Sequence, residues 1–209
     1  GVAAGEALPV EVEAAVLVGA AKREGTFKAR CPSFAAWLRM RAAGVVDVVA
    51  LGQFGTDLTG ATPEESLPRA FAVETVVELL MDRLLKDHAR PQVLIGPSGS
   101  GKTAVVHELA RRLASSEAGG WRVLRMAPSD FLSGTKYIGE WETRVRDLVA
   151  AIRHPRRVVL YVPQIADLPA VGRWEKSDAN VAAALLPHLE DGSVRLLGEC
   201  TPEDFERGL

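Results

Sequence analysis

Residues 96–103 read GPSGSGKT, which fits G-x-x-x-x-G-K-[ST] at Gly96, Gly101, Lys102 and Thr103. In such a loop the glycines let successive backbone N–H groups turn inward around phosphate oxygens. A helix that starts on the lysine adds the positive end of its dipole. The lysine is a point charge for β- and γ-phosphates, and the Ser/Thr hydroxyl can hold Mg²⁺. The candidate phosphate-binding set is therefore Gly96, Pro97, Ser98, Gly99, Ser100, Gly101, Lys102, Thr103 and Ala104, with Thr103 as the residue toward the metal. A second stretch, VVLYVPQIADL at 158–168, runs from β-branched and aromatic residues straight into Pro163 and Gln164. Proline offers no side-chain oxygen to a metal's water shell. Glutamine can hydrogen-bond a water but cannot take its proton.

The elements that must position these residues follow from periodicity. Val73, Val76, Val77, Leu80 and Leu84 fall on one helical face, and Pro91 is expected to close that helix. Val93-Leu94-Ile95 reads as a short buried strand leading into the glycine-rich loop, and a helix is expected from Lys102 to about Ala114. WRVLRM (121–126), RVVLYV (157–162) and SVRLLG (193–198) read as further strands. Trp141, Val145, Leu148 and Ile152 mark an intervening amphipathic helix, and another is expected near 178–190. Strands alternating with helices predict an α/β fold with a mainly parallel sheet covered by helices on both faces. Residues 1–52 differ: helices are expected near 10–22 and 33–43, with a strand at 45–49, as a small N-terminal segment or the end of another domain. GQFGTDLTGATPEESLP then reads as a linker.

Composition bounds the rest. With 25 basic and 27 acidic residues among 209, the net charge of −2 gives no support for a nucleic-acid or membrane-surface binder. No apolar run approaches the ~20 residues a membrane span needs, and the first residues do not read as a signal peptide. Cys31 and Cys200 are far apart and not in metal-binding spacing, so a cytoplasmic protein with reduced thiols is expected.

Residues 51–209 resemble the first AAA+ module of Clp-type protein unfoldases and disaggregases. FGTDLT (54–59) is similar to the signature that precedes that module, and VLIGPSGSGKTAVVHELA (93–110) to its phosphate loop and helix. GTKYIGEWETRVRDLV (134–149) is similar to its pore-loop segment, and LLPHLEDGSVRLLGECTPEDFER (185–207) to the strand of its first sensor. The resemblance implies a P-loop NTPase fold: residues 53–209 as the AAA+ large subdomain without its lid, binding ATP or ADP with Mg²⁺. It also implies polypeptide substrates or protein partners and assembly into homo- or hetero-oligomeric rings. By the same resemblance Lys136, Tyr137, Ile138 and Gly139 form the pore loop, with Tyr137 as the aromatic that grips a threaded chain.

The sequence departs from the family at the strand end. The family carries Asp-Glu there, to position the metal and polarise water; this chain has Pro163-Gln164. The sensor strand reads Gly198-Glu199-Cys200-Thr201, leaving Cys200 and Thr201 as sensor candidates. No Gly-Arg pair is found around LPRAFAVE (67–74), and Asp167 is the nearest acid to Gln164. The family's arginine finger, fifth strand and lid lie beyond the equivalent of Leu209, so the chain reads as a fragment or a module cut short. Val45–Leu51 is then expected to shield the sheet edge beside Val93–Ile95. His107, Glu140 and Glu142 are read as packed or solvated helix residues. Trp174 is read as a partner contact or a side chain folded back on its own domain. The favoured reading is a nucleotide-binding Clp-like module with impaired hydrolysis and a regulatory or structural role. An active ATP-driven unfoldase subunit and an interaction scaffold without nucleotide stand as alternatives.

Overall fold

The computed structural model describes residues 48–60, 70–115, 120–135, 139–153, 157–173 and 179–208. The helices expected near 10–22 and 33–43, Lys136, Tyr137, Ile138 and Trp174 lie outside the described residues.

Five strands form one sheet: β1 (Thr56–Asp57), β2 (Gln92–Ile95), β3 (Arg122–Arg125), β4 (Val158–Val162) and β5 (Arg195–Cys200), in the order β1-β3-β4-β5-β2. The ladders β3–β4, β4–β5 and β2–β5 are parallel, and only β1–β3 is antiparallel. All five β4 residues are buried, as expected of a strand covered on both faces. Their side chains alternate. Val159 and Tyr161 join a cluster with α2 (Glu74–Leu84) and α3 (Lys102–Ser115). Val158, Leu160 and Val162 join the opposite cluster, with α4 (Glu140–Ile152) and α5 (Val181–Glu190). The mainly parallel sheet with helices on both faces is thus as the sequence predicts.

Three expectations are corrected. Helix α2 ends at Leu84 with Leu85 as its C-cap, well before Pro91, and Val76 is exposed rather than on the buried face of Val77, Leu80 and Leu84. Its end is fixed elsewhere: the buried Arg195 of β5 donates from Nε to Leu84 O at 2.8 Å and from Nη2 to Lys86 O at 2.9 Å. A side chain from the sheet thereby satisfies carbonyls left over at the helix terminus.

Of the segment read as a linker, the described residues 52–60 are part of the domain. Phe54 and Leu58 are buried, one in each cluster. Gly55 passes so close to β3 that an added Cβ would lie 2.2 Å from Arg125 O, so only glycine fits. Thr56 and Asp57 pair with Arg125 and Leu124. Asp57 accepts from Thr59 N at 2.9 Å and faces Arg122 at 3.4 Å. Arg144 of α4 donates to Gln53 O and Phe54 O and stands over the Phe54 ring, 5.5 Å from its centroid. Apolar anchors and buried polar ties outweigh the Gly/Thr composition.

The third correction concerns Val45–Leu51. Val48–Gly52 is a short helix, α1, with Leu51 buried. It packs on β1 and α4, at the edge of the sheet opposite β2. It neither continues as a strand nor shields Val93–Ile95, because Leu51 is taken up by the cluster around Phe54 and α4. Among the described residues the sheet ends at β2. A further helix, α6 (Pro202–Gly208), follows β5 and was not expected.

Candidate functional site

The loop 96–101 connects β2 to α3 and is shaped by its glycines. Gly99 (φ 78°) and Gly101 (φ 84°) take left-handed conformations that other residues adopt at a cost. Ser100 N bonds to Pro97 O at 3.2 Å and Val105 N to Gly101 O at 3.0 Å, which closes the turn onto the first turn of the 14-residue α3. Lys102 Nζ lies across the loop, donating to Gly96 O at 2.7 Å and Pro97 O at 2.9 Å. A cleft of about 430 Å³ opens at this point, lined by Ser98, Gly99, Ser100, Gly101, Lys102, Thr103, Gln164, Glu199, Cys200, Thr201 and Asp204. That size lies within the ~300–1,000 Å³ of small-ligand sites.

The end of β4 is built by packing. Pro163 is buried and does not line the cleft. Gln164 turns into the left-handed region (φ 52°, ψ 49°) and caps a 3₁₀ turn, Ile165–Ala170, its carbonyl accepting from Asp167 N at 3.0 Å. Ile165 then seats on β5 at Gly198, where an added Cβ would come within 2.5 Å of the isoleucine side chain. This contact swings the chain over β5 and leaves Gln164 exposed toward the phosphate loop. Asp167 is exposed on the 3₁₀ turn and is not among the cleft residues.

The sensor candidates divide. The Cys200 thiol is buried, and its pKa is pushed up by burial and by nearby Asp204, with Lys102 opposing. It is therefore a neutral group at the cleft wall. Thr201 is committed to structure. Its hydroxyl donates to Asp204 Oδ2 at 2.8 Å and accepts from Asp204 N at 3.2 Å, a reciprocal cap at the start of α6. Gly134 (φ 78°) and Gly139 (φ 90°) flank the segment matched to the pore loop, and Gly139 is the N-cap of α4. Glu142 is exposed and Glu140 half-buried in the first turn of α4.

Two carboxylates reach the cleft that were not singled out from the sequence: Asp204, and Glu199 of β5, which accepts from Thr103 Oγ1 at 3.0 Å (Oε1) and 3.2 Å (Oε2). A signal was present, since Glu199 is the one acid inside the strand RLLGEC. Among the described residues no cluster of three or more His, Cys, Asp or Glu could cage a metal ion alone. Thr103 and Glu199 instead fit a hard cation that is completed by phosphate oxygens and water.

The AAA family profile (ATPase family associated with various cellular activities) matches residues 92–201, just over half of the chain. The chain belongs to the AAA family of ATPases. This AAA module is similar to chaperone protein ClpB of Wolinella succinogenes, 29% identical over 161 residues, which are 75% of this chain and 19% of that protein. It is also similar to the ClpA homolog, an ATP-dependent Clp protease ATP-binding subunit, of Cyanidium caldarium, 32% identical over 175 residues, 80% of this chain and 20% of that protein. The chain thus spans about a fifth of the length of these curated relatives. In fold it superposes on Hsp104 of S. cerevisiae in a complex with ADP, with TM-score 0.60 and 22% identity over 75% of this chain and 27% of the other. Hsp104 with ATPγS and casein gives TM-score 0.64 and 23% identity over 76% and 27%. The module is of the Clp type. Among its described residues no helix is long and apolar enough to cross a membrane.

Two groups on α3 give the AAA module a defined acid response. Burial lowers the pKa of half-buried His107; Glu199 opposes this and Arg125 adds to it. Glu108 is covered by Arg111 and Arg112, and the hydrogen bond from Arg111 leads in lowering its pKa. Both groups bind protons more weakly folded than unfolded, so stability rises with pH through their titration. As far as these two groups go, the thermal midpoint is flat above pH 6.5, the ordinary His value, falls below it as unfolded His107 protonates first, and falls again below 4.5 through Glu108. Calorimetry of His107→Gln checks this: the first decline should shrink and the second remain.

Proposed function

We propose that this module binds ATP or ADP with Mg²⁺, hydrolyses ATP poorly, and serves as a regulatory or structural nucleotide-held part of a Clp-like assembly that acts on polypeptides. The observation that carries this reading is the cleft itself, where a complete phosphate loop faces a strand end that delivers Gln164 and no carboxylate. The loop offers N–H groups of Ser98, Gly99, Gly101, Lys102 and Thr103, since Pro97 has none and those of Gly96 and Ser100 go to Cys200 O and Pro97 O; the N-terminus of α3 adds to them, and Lys102 leaves the loop carbonyls to meet phosphates. Thr103 holds the metal, whose role when bound is to neutralise phosphate charge. Gln164 can orient a water but not accept its proton. The missing base lowers the rate by about 10²–10⁴, or roughly 3–5 kcal/mol of barrier. Asp167 lies outside the cleft, Glu199 is engaged with Thr103, and Asp204 is tied to Thr201 and Arg207, so each is a poor substitute.

The solved Hsp104 complexes with ADP and with ATPγS and casein support a nucleotide at this cleft and a polypeptide client for the assembly. In the same reading Lys136, Tyr137, Ile138 and Gly139 are the residues that grip a client in a ring. Residues 53–209 form the nucleotide-binding unit, and the protein works in the cytoplasm.

Titration calorimetry with ADP and Mg²⁺ tests the binding half. Wild type should bind, and Lys102→Ala should weaken binding at least about tenfold, by loss of a charge-assisted contact. Absence of binding by wild type would overturn the proposal in favour of an interaction scaffold.

A further inference from the structure

We propose that Glu199, on β5, supplies the acidic group that couples a divalent cation to Thr103, and that it thereby makes nucleotide binding to this cleft strongly metal-dependent. The inference rests on the nucleotide-binding reading above and deepens it.

At the end of β4, where an acid would ordinarily serve the metal, the chain has the buried Pro163, with no side-chain oxygen to offer. One strand away, Glu199 is already joined to the metal-side hydroxyl of the phosphate loop, with both carboxylate oxygens within 3.2 Å of Thr103 Oγ1. This bond links residues 96 positions apart and bridges the two walls of the cleft. The parallel register fixes it: Leu94 pairs with Glu199 and Ile95 with Cys200, which sets Glu199 at the root of the loop.

A second observation points to a ligand at the same place. Tyr161 of β4 is fully buried, and its hydroxyl makes no hydrogen bond. Burial raises its pKa, Glu199 adds to this and Thr103 opposes it, so these two are its polar neighbours, although neither meets good hydrogen-bond geometry. A buried donor left unsatisfied is costly. A water in a cation's shell, or Glu199 drawn toward a cation, would give it a partner.

Charge supplies the dependence on metal. In the cleft Asp204 is already paired with Arg207 at 2.7 Å, so Glu199 is the acid that offsets Lys102 when a polyphosphate enters alone. Mg²⁺ is bound through one or two carboxylates together with phosphates, which describes what this cleft offers. With a cation present Glu199 bridges; without one it repels.

The test uses ADP and the full-length protein, wild type against Glu199→Gln, by titration calorimetry in excess Mg²⁺ and in EDTA. Mn²⁺ electron paramagnetic resonance of the ADP complex serves as a separate readout. Wild type is expected to lose roughly 10–100-fold in ADP affinity on metal removal, the range seen when groups supporting a metal are lost. Glu199→Gln should bind ADP more tightly than wild type in EDTA, keep little metal dependence, and show less ordered Mn²⁺. The proposal is overturned if the variant keeps the wild-type ratio of affinities. It is overturned equally if the variant binds more tightly by the same factor in both buffers, since Glu199 would then be a plain electrostatic block. Wild type that fails to bind ADP in either buffer overturns the nucleotide-binding reading itself, a result distinct from both.

Discussion

Gln164→Glu in the full-length protein is expected to raise ATP turnover over wild type by about 10²–10⁴-fold, the contribution of a positioned general base. The substitution keeps the length and shape of the side chain and adds a single charge. Gln164 already occupies the left-handed conformation that places it at the cleft, and Glu tolerates it no worse. The turn is held by Ile165 on Gly198 and by the bond from Asp167 N to Gln164 O, neither of which the new side chain disturbs. The new carboxylate would face Lys102 and Thr103 across the cleft, where water attacking a phosphate must stand. Pro163→Asp alone is expected to leave turnover at background, because position 163 is buried behind the cleft and Thr103 already has Glu199. Steady-state phosphate release checks both variants. If Gln164→Glu stays at the wild-type rate while its nucleotide affinity is unchanged, the slow step is not the missing base.

The second large effect concerns stability. Arg195→Ala is expected to lower unfolding free energy by about 2–4 kcal/mol. Arg195 sits in β5 at 3% exposure, with its guanidinium bonded to Leu84 O and Lys86 O and 5.2 Å from the centroid of Trp121. Truncation strips two carbonyls at the end of α2 of their donors and opens a void beneath Trp121. Arg195→Met separates the two causes, since it refills the space but restores no hydrogen bond. Urea unfolding should show a midpoint shift at unchanged slope, with Met intermediate. Equal midpoints for Ala and wild type would mean that α2 ends where it does without Arg195.

What could be read from the sequence follows how local each cause is. The four parallel strands were legible because each is a short apolar run bounded by loops, and the phosphate loop because its function resides in consecutive residues. The role of FGTDLT was not, because its place in the sheet depends on Gly55 meeting Arg125 O and on Arg144 reaching Phe54 from another helix. The strand expected at 45–49 gives way, in its described residues 48 and 49, to a helix for the same reason: a short apolar run suits strand or helix, and Leu51 found its partners near α4. At the site, Pro163 and Gln164 stood out by type, yet Glu199 became visible only when the register of β5 against β2 brought it to Thr103. Thr201 shows the converse. A residue of suitable type proves to be engaged with Asp204 at a helix cap.

In the proposed function this cleft holds ATP and cleaves it poorly. A single-turnover experiment tests it most directly: protein in excess over radiolabelled ATP with Mg²⁺, quenched over time, with bound nucleotide separated and identified. The label should be retained by wild type, released by Lys102→Ala, and recovered as intact ATP. Recovery of bound label as ADP within a few seconds would contradict it, because some group other than Gln164 would then be activating the water.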